Sequence, residues 1–136
     1  MENAIAQEIA EKDVQRWMDF KNLKPRKRGE RQAEIETIIE SICDGDLILD
    51  KEFNFIQTLR NPVVDNDGKS ILKEFKFKPR LLLEDVEPFL MNVKSTNMIG
   101  MLAAYTSALT GVGAGLTKKI DTDENKTTQA IVMFFL

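Results

Sequence analysis

Residues 53–78 read FNFIQTLRNPVVDNDGKSILKEFKFK, and the reading of this stretch decides the fold. From Phe53 to Leu59 the side chains alternate, with Phe53, Phe55, Gln57 and Leu59 on one side and Asn54 and Thr58 on the other. A period of two marks a strand with one buried face, because successive side chains of an extended backbone point in opposite directions. Ser70 to Lys78 repeats the pattern: Ile71, Phe75 and Phe77 share a face with Lys73, while Glu74, Lys76 and Lys78 point to water. Pro62 and Asp67-Gly68 fall between the two runs, which predicts a long β-hairpin with a wide loop. A lone hairpin is marginal in water, so helices must cover its aromatic face.

Three downstream segments have the pattern to do so. Leu82, Leu83, Val86, Phe89, Leu90 and Val93 recur at helical spacing, with Glu84, Asp85 and Glu87 in the first turns, where the helix dipole favours acids. A second helix, rich in Ala and Met, is expected from about Thr96 to Thr110 and ends at Gly111-Val112-Gly113. The third opens at Asp121, with Glu124 three residues on in the manner of a capping box, and carries Ala130, Ile131, Phe134 and Phe135.

Upstream, Ala6, Ile9, Ala10, Val14, Trp17 and Met18 form one helical stripe between Glu2 and about Leu23. Ile35, Ile38, Ile39 and Ile42 form another between Arg31 and Cys43, stopped by Asp44-Gly45. Between these helices Pro25 and Gly29 break the period, and Lys21, Lys24, Arg26, Lys27, Arg28 and Arg31 concentrate positive charge in what is expected to be an exposed basic linker. The expected architecture is α+β: an N-terminal helical hairpin arm over residues 1–46, then a β-hairpin and a C-terminal bundle of about three helices over 47–136.

At 136 residues, 43% apolar and 30% charged, the chain suits one soluble globular domain. A net charge of −3 gives no global attraction to phosphate, so nucleic acid could be held only by the local basic segment, and an exposed helix-hairpin turn is the favoured reading of that segment. The chain contains no histidine, which removes the commonest general acid–base group and metal ligand. Cys43 is the single cysteine, excludes an intrachain disulfide, and is expected in the core. Gly111 to Gly115 reads GVGAG without the Lys-Thr pair of a phosphate loop. Asp65-Asn66-Asp67-Gly68, with Glu74 six residues further on, approaches a calcium loop, yet Val63 stands where a ligand is needed, so a turn is the better reading. These features predict a non-catalytic protein without metal or cofactor. Glu2, Glu8 and Glu11 interrupt the opening residues unlike a signal peptide, and Met98 to Leu116 is too polar to span a bilayer, so the expected location is the cytoplasm of the producing cell.

Over residues 55–136 the order is strand, Pro62, a loop with Gly68, a strand ending Phe75-Lys76-Phe77-Lys78-Pro79-Arg80, and an acidic helix start. It continues through Leu109-Thr110-Gly111, Ile120-Asp121 and Asp123 to Phe135-Leu136. This order resembles the tail assembly chaperones of contractile-tailed phages; the residues before Leu47 have no counterpart in short members of that family. The resemblance implies a non-catalytic protein that binds tape measure and/or tail tube protein in the host cytoplasm, with possible self-association, and is absent from the mature virion. Candidate contacts for such helical clients are Met91, Met98, Met101 and Met133, with Phe134 and Phe135. The alternative is a virion structural protein or a small nucleic-acid-binding factor using residues 21–31. The bulky ending Val132-Met133-Phe134-Phe135-Leu136 is expected to dock; in the family it resembles, a frameshift near this point yields a longer product.

Overall fold

Helix α1 (Glu2–Phe20) is followed by a short α2 (Pro25–Glu30) and by α3 (Gln32–Cys43). The computed structural model describes the backbone of residues 2–136 and the side chains of residues 7–136, so the Ala6 side chain lies outside the described residues. Three antiparallel strands come next in the order β1-β2-β3: β1 (Leu47–Leu49), β2 (Phe55–Val64) and β3 (Ser70–Phe77). The chain then forms α4 (Leu83–Leu90), α5 (Met98–Thr110), α6 (Ala114–Thr117) and α7 (Thr122–Val132), and closes in a 3-10 turn at Met133–Phe135. The fold is therefore mixed helix and sheet, with one strand, β1, and two short helices, α2 and α6, more than the sequence pattern predicts.

The expected stop signals act as expected. Gly45 and Gly111 take positive φ after α3 and α5, and the Gly111 N–H donates to the Ser107 carbonyl at 2.8 Å. Asp121 caps α7 by accepting from the Asp123 N–H at 3.0 Å. In the β2–β3 connection the Asp65 carboxylate accepts from the Asp67 and Lys69 N–H groups, each at 2.9 Å, while Gly68 supplies the positive φ, which is turn chemistry.

The core joins both ends of the chain. Trp17 is 1% exposed and touches Phe55, Phe134 and Phe135, with ring centroids 4.9, 5.1 and 6.2 Å away. Val14, Met18 and Ile38 from the N-terminal helices share one cluster with Phe75, Phe77, Leu109 and Ile131. Residues of 1–46 and of 47–136 thus pack in a common core.

Two positions differ from the alternation read off the hairpin. The four residues Leu59–Pro62 stand opposite the single residue Lys73, since Thr58 pairs with Glu74 and the next pair is Val63 with Leu72. This wide bulge shifts the register, so Leu72 is buried and Ile71, expected inside, is 44% exposed. Pro62 has no N–H to give to a ladder, and it sits in β2 at this irregularity rather than in a loop. Phe53, expected on the strand's buried face, lies in a turn with φ 65° instead. There the Asp50 carboxylate accepts from the Glu52 and Asn54 N–H groups, and the Phe53 ring stacks on Phe20 at 4.3 Å.

Cys43 is exposed rather than in the core, because α3 ends there and its buried stripe runs through Ile38 and Ser41. The basic linker is not an open hinge, since α2 occupies most of it, with Pro25 at the helix start where its missing N–H costs nothing.

Candidate functional site

The exposed apolar residues are concentrated on one part of the chain. Of eleven large hydrophobic side chains exposed to solvent among the described residues, six lie between residues 82 and 99: Leu82, Leu83, Phe89, Met91, Met98 and Ile99. Leu83 is 76% exposed, Met91 70% and Ile99 77%, values that core packing does not explain. They lie on or beside α4 and α5, which pack against each other. Only Val86 of α4 is buried, so the expected stripe of Leu82, Leu83, Phe89 and Leu90 is not a core stripe. Asp85 reaches back to accept from the Leu82 N–H at 3.1 Å, and Pro88 sits inside this eight-residue helix. Asn97 caps α5 through the Gly100 N–H, and a Cβ at Gly100 would come within 2.7 Å of the Asn97 amide, so this corner is closely built. A hollow of about 210 Å³ at the start of α4 is lined by Leu81, Leu82, Leu83, Val86, Tyr105 and Phe135.

The methionine and phenylalanine candidates divide. Met91 and Met98 are exposed, whereas Met101, Met133 and Phe135 are half-buried and Phe134 is 2% exposed against Trp17. Phe134 is therefore a core residue and not an available contact. Leu82, Leu83 and Ile99 belong to the exposed set instead. Sequence reasoning passed over them because a helical apolar stripe usually faces inward.

Four of the six basic candidates are tied into the fold. Lys21 Nζ donates to the Pro79 carbonyl at 3.1 Å and lies 3.5 Å from the Phe135 ring centroid. Burial and the neighbouring charges of Lys27 and Arg80 lower the Lys21 pKa to about 8. Lys27 Nζ donates to the Leu136 carbonyl oxygen at 3.0 Å. Arg28 donates to the Leu23 carbonyl and pairs with Asp19, each at 2.9 Å, and Arg31 pairs with Glu34. Lys24 and Arg26 are exposed and enter no salt bridge among the described residues. Two loose cations make a poor phosphate track, since binding strength scales with the number of phosphates neutralised.

A buried polar network was also missed. Glu124, expected to close a capping box, instead directs Oε1 at the N–H groups of Arg60 and Asn61 in the β2 bulge. Gln57 Nε2 donates to the Glu124 carbonyl at 2.9 Å, Thr128 donates to Gln57 Oε1 at 2.8 Å, and Ser41 and Thr127 share a 2.7 Å bond between α3 and α7. Apart from Glu124 Oε2, which has no partner among the described residues, these groups satisfy one another, which is structural work.

No protein-family model, curated protein or solved structure matches the chain. No helix among the described residues is long and apolar enough to cross a membrane.

Proposed function

We propose that this protein is a non-catalytic chaperone of phage tail assembly, which holds tape measure and/or tail tube protein in the host cytoplasm and is left out of the finished virion. The observation that carries the binding role is the α4–α5 surface, where Leu83, Met91 and Ile99 are each at least 70% exposed. Apolar side chains on a short helical hairpin are the complement of an amphipathic helix that has not yet found its own partners. Met91 and Met98 add flexible contact area that tolerates more than one client geometry. Glu84, Asp85 and Glu87 border these residues and favour solubility of the unliganded protein. The choice of tail proteins as clients rests on the resemblance of residues 55–136 to tail assembly chaperones.

Co-expression tests the reading. The protein should raise the soluble fraction of the tape measure or tail tube protein of the same phage and co-purify with it. Leu83→Ser together with Ile99→Ser should abolish both effects while leaving the melting temperature near wild type, because both side chains are largely exposed. Unchanged client solubility with wild type, or full activity of the double variant, would overturn the proposal. Recovery from purified virions in amounts expected of a subunit would replace it with a structural role.

A further inference from the structure

We infer that the groove between α1 and α3 is a second docking site, built for a basic amphipathic helix of another protein. The groove has a volume of about 800 Å³ and runs along α3 from Gln32 to Asp44. At 1.5 Å per residue that is roughly 18 Å, or three helical turns. Its floor is apolar: Ile35 and Ile39 are half-buried and Cys43 is exposed. Its walls carry Glu11, Glu36, Glu40 and Asp44, and no lysine or arginine among the described residues lines it. None of these four carboxylates is in a salt bridge among the described residues, whereas Asp19, Glu34 and Asp46 each have an arginine. Four carboxylates outside any salt bridge, with Arg60 near Asp44 the one cation among the described residues whose charge reaches them, leave an apolar floor uncovered beneath a net negative field. One partner answers both: a helix with apolar residues at i, i+3 or i+4 and i+7, flanked by Lys or Arg.

Two exposed helices of the described residues argue against a second copy as that partner. Its exposed apolar helix α4 carries Glu84, Asp85 and Glu87, which the groove would repel, and its basic helix α2 has no apolar anchor beyond Pro25. The site uses different elements from the α4–α5 surface and stands independently of the proposed clients.

Cys43 is the only thiol in the protein and lines the groove, so its alkylation by a maleimide reports occupancy directly. The full-length protein is mixed with a synthetic amphipathic helix of Leu and Lys, or with its Leu and Glu counterpart. The Leu/Lys peptide should slow Cys43 alkylation at least about tenfold, and protection should fall steeply between about 50 and about 500 mM salt. Glu36→Lys with Glu40→Lys, both at exposed positions, should raise the peptide concentration needed for half-protection at least about tenfold with an unchanged far-ultraviolet spectrum. Leu83→Ser should change nothing. The inference falls if the Leu/Lys peptide gives no protection at low salt, if the Leu/Glu peptide protects as well, or if the charge-reversed protein is protected equally. It also falls if Cys43 becomes protected on raising the protein concentration alone, which would make a second copy the occupant.

Discussion

Replacing Glu124 by Ala tests whether the bulge in β2 is held open from α7. Glu124 is 9% exposed, and Oε1 accepts from the backbone N–H groups of Arg60 and Asn61, which the widened register leaves without a ladder partner on β3. Each hydrogen bond to a charged acceptor contributes about 1.5–3 kcal/mol, so the gross loss is about 3–6 kcal/mol. Two effects offset it. The buried Oε2 has no partner among the described residues, and removing such an atom returns about 1–3 kcal/mol. The adjoining hollow of about 290 Å³, whose lining includes Arg60, Asn61 and Thr127, is roomy enough for water to reach the freed donors. The expected net cost of Glu124→Ala is about 2–3 kcal/mol, and Glu124→Gln, which keeps one acceptor oxygen, should lose about 1 kcal/mol. Urea unfolding followed by fluorescence of Trp17, the single and fully buried tryptophan, measures both. Amide exchange should quicken at Arg60 and Asn61 in the Ala variant before the rest of β2 responds. An Ala variant within about 0.5 kcal/mol of wild type, or unaltered exchange at those two amides, would refute this account.

The register shift separates two neighbouring apolar residues: Phe75→Ala should cost about 3–5 kcal/mol, while Ile71→Ala should stay within about 0.5–1 kcal/mol, and equal losses would put Ile71 back on the buried face. In the basic segment Arg28→Ser should destabilise by about 1–2 kcal/mol, because it removes the bonds to Leu23 and Asp19, whereas Arg26→Ser should be neutral within about 0.5 kcal/mol; thermal melts distinguish them. Lys21 binds its proton less tightly in the native protein than in the unfolded chain, with a pKa of about 8 against 10.5. Between those values unfolding takes up a proton, so this residue's contribution makes native stability rise with pH across that window. The stability of wild type relative to Lys21→Met should therefore increase from about pH 8 to about pH 10.5, and parallel curves would contradict the buried placement of the ammonium.

Periodicity and punctuation carried most of the element order. Stripes spaced three and four apart located α1, α3 and α7, and Gly45, Gly68 and Gly111 ended elements where only a positive φ would serve. Register was not legible, because the bulge depends on a carboxylate more than sixty residues away, and no local pattern announces that Glu124 will serve β2 rather than its own helix start. For the same reason Ile71 was placed on the wrong surface, whereas Phe53 was misplaced because the Asp50 carboxylate closes a local turn there. The apolar surface was only half readable: Met91 and Met98 were candidates, but Leu82, Leu83 and Ile99 have the spacing of core residues, and their exposure follows from how α4 lies on the body of the fold. Charge density suggested a free basic patch, yet composition does not record that Lys21, Lys27 and Arg28 end at carbonyl oxygens.

The contact of Trp17 with Phe134 has a consequence in time. More than a hundred residues separate these rings, so in a chain being synthesised at ~5–20 residues per second Trp17 waits roughly 5–25 s for Phe134, with Phe55 the one aromatic partner made earlier. During that interval α1 and α3 can form from local contacts and the strands are made, but the inward faces still lack α7 and the final turn to rest on. The nascent protein would itself be an aggregation-prone client for that period, and variants that weaken the pairing of α1 with α3 should lower the yield of soluble protein more than their effect on the finished fold implies.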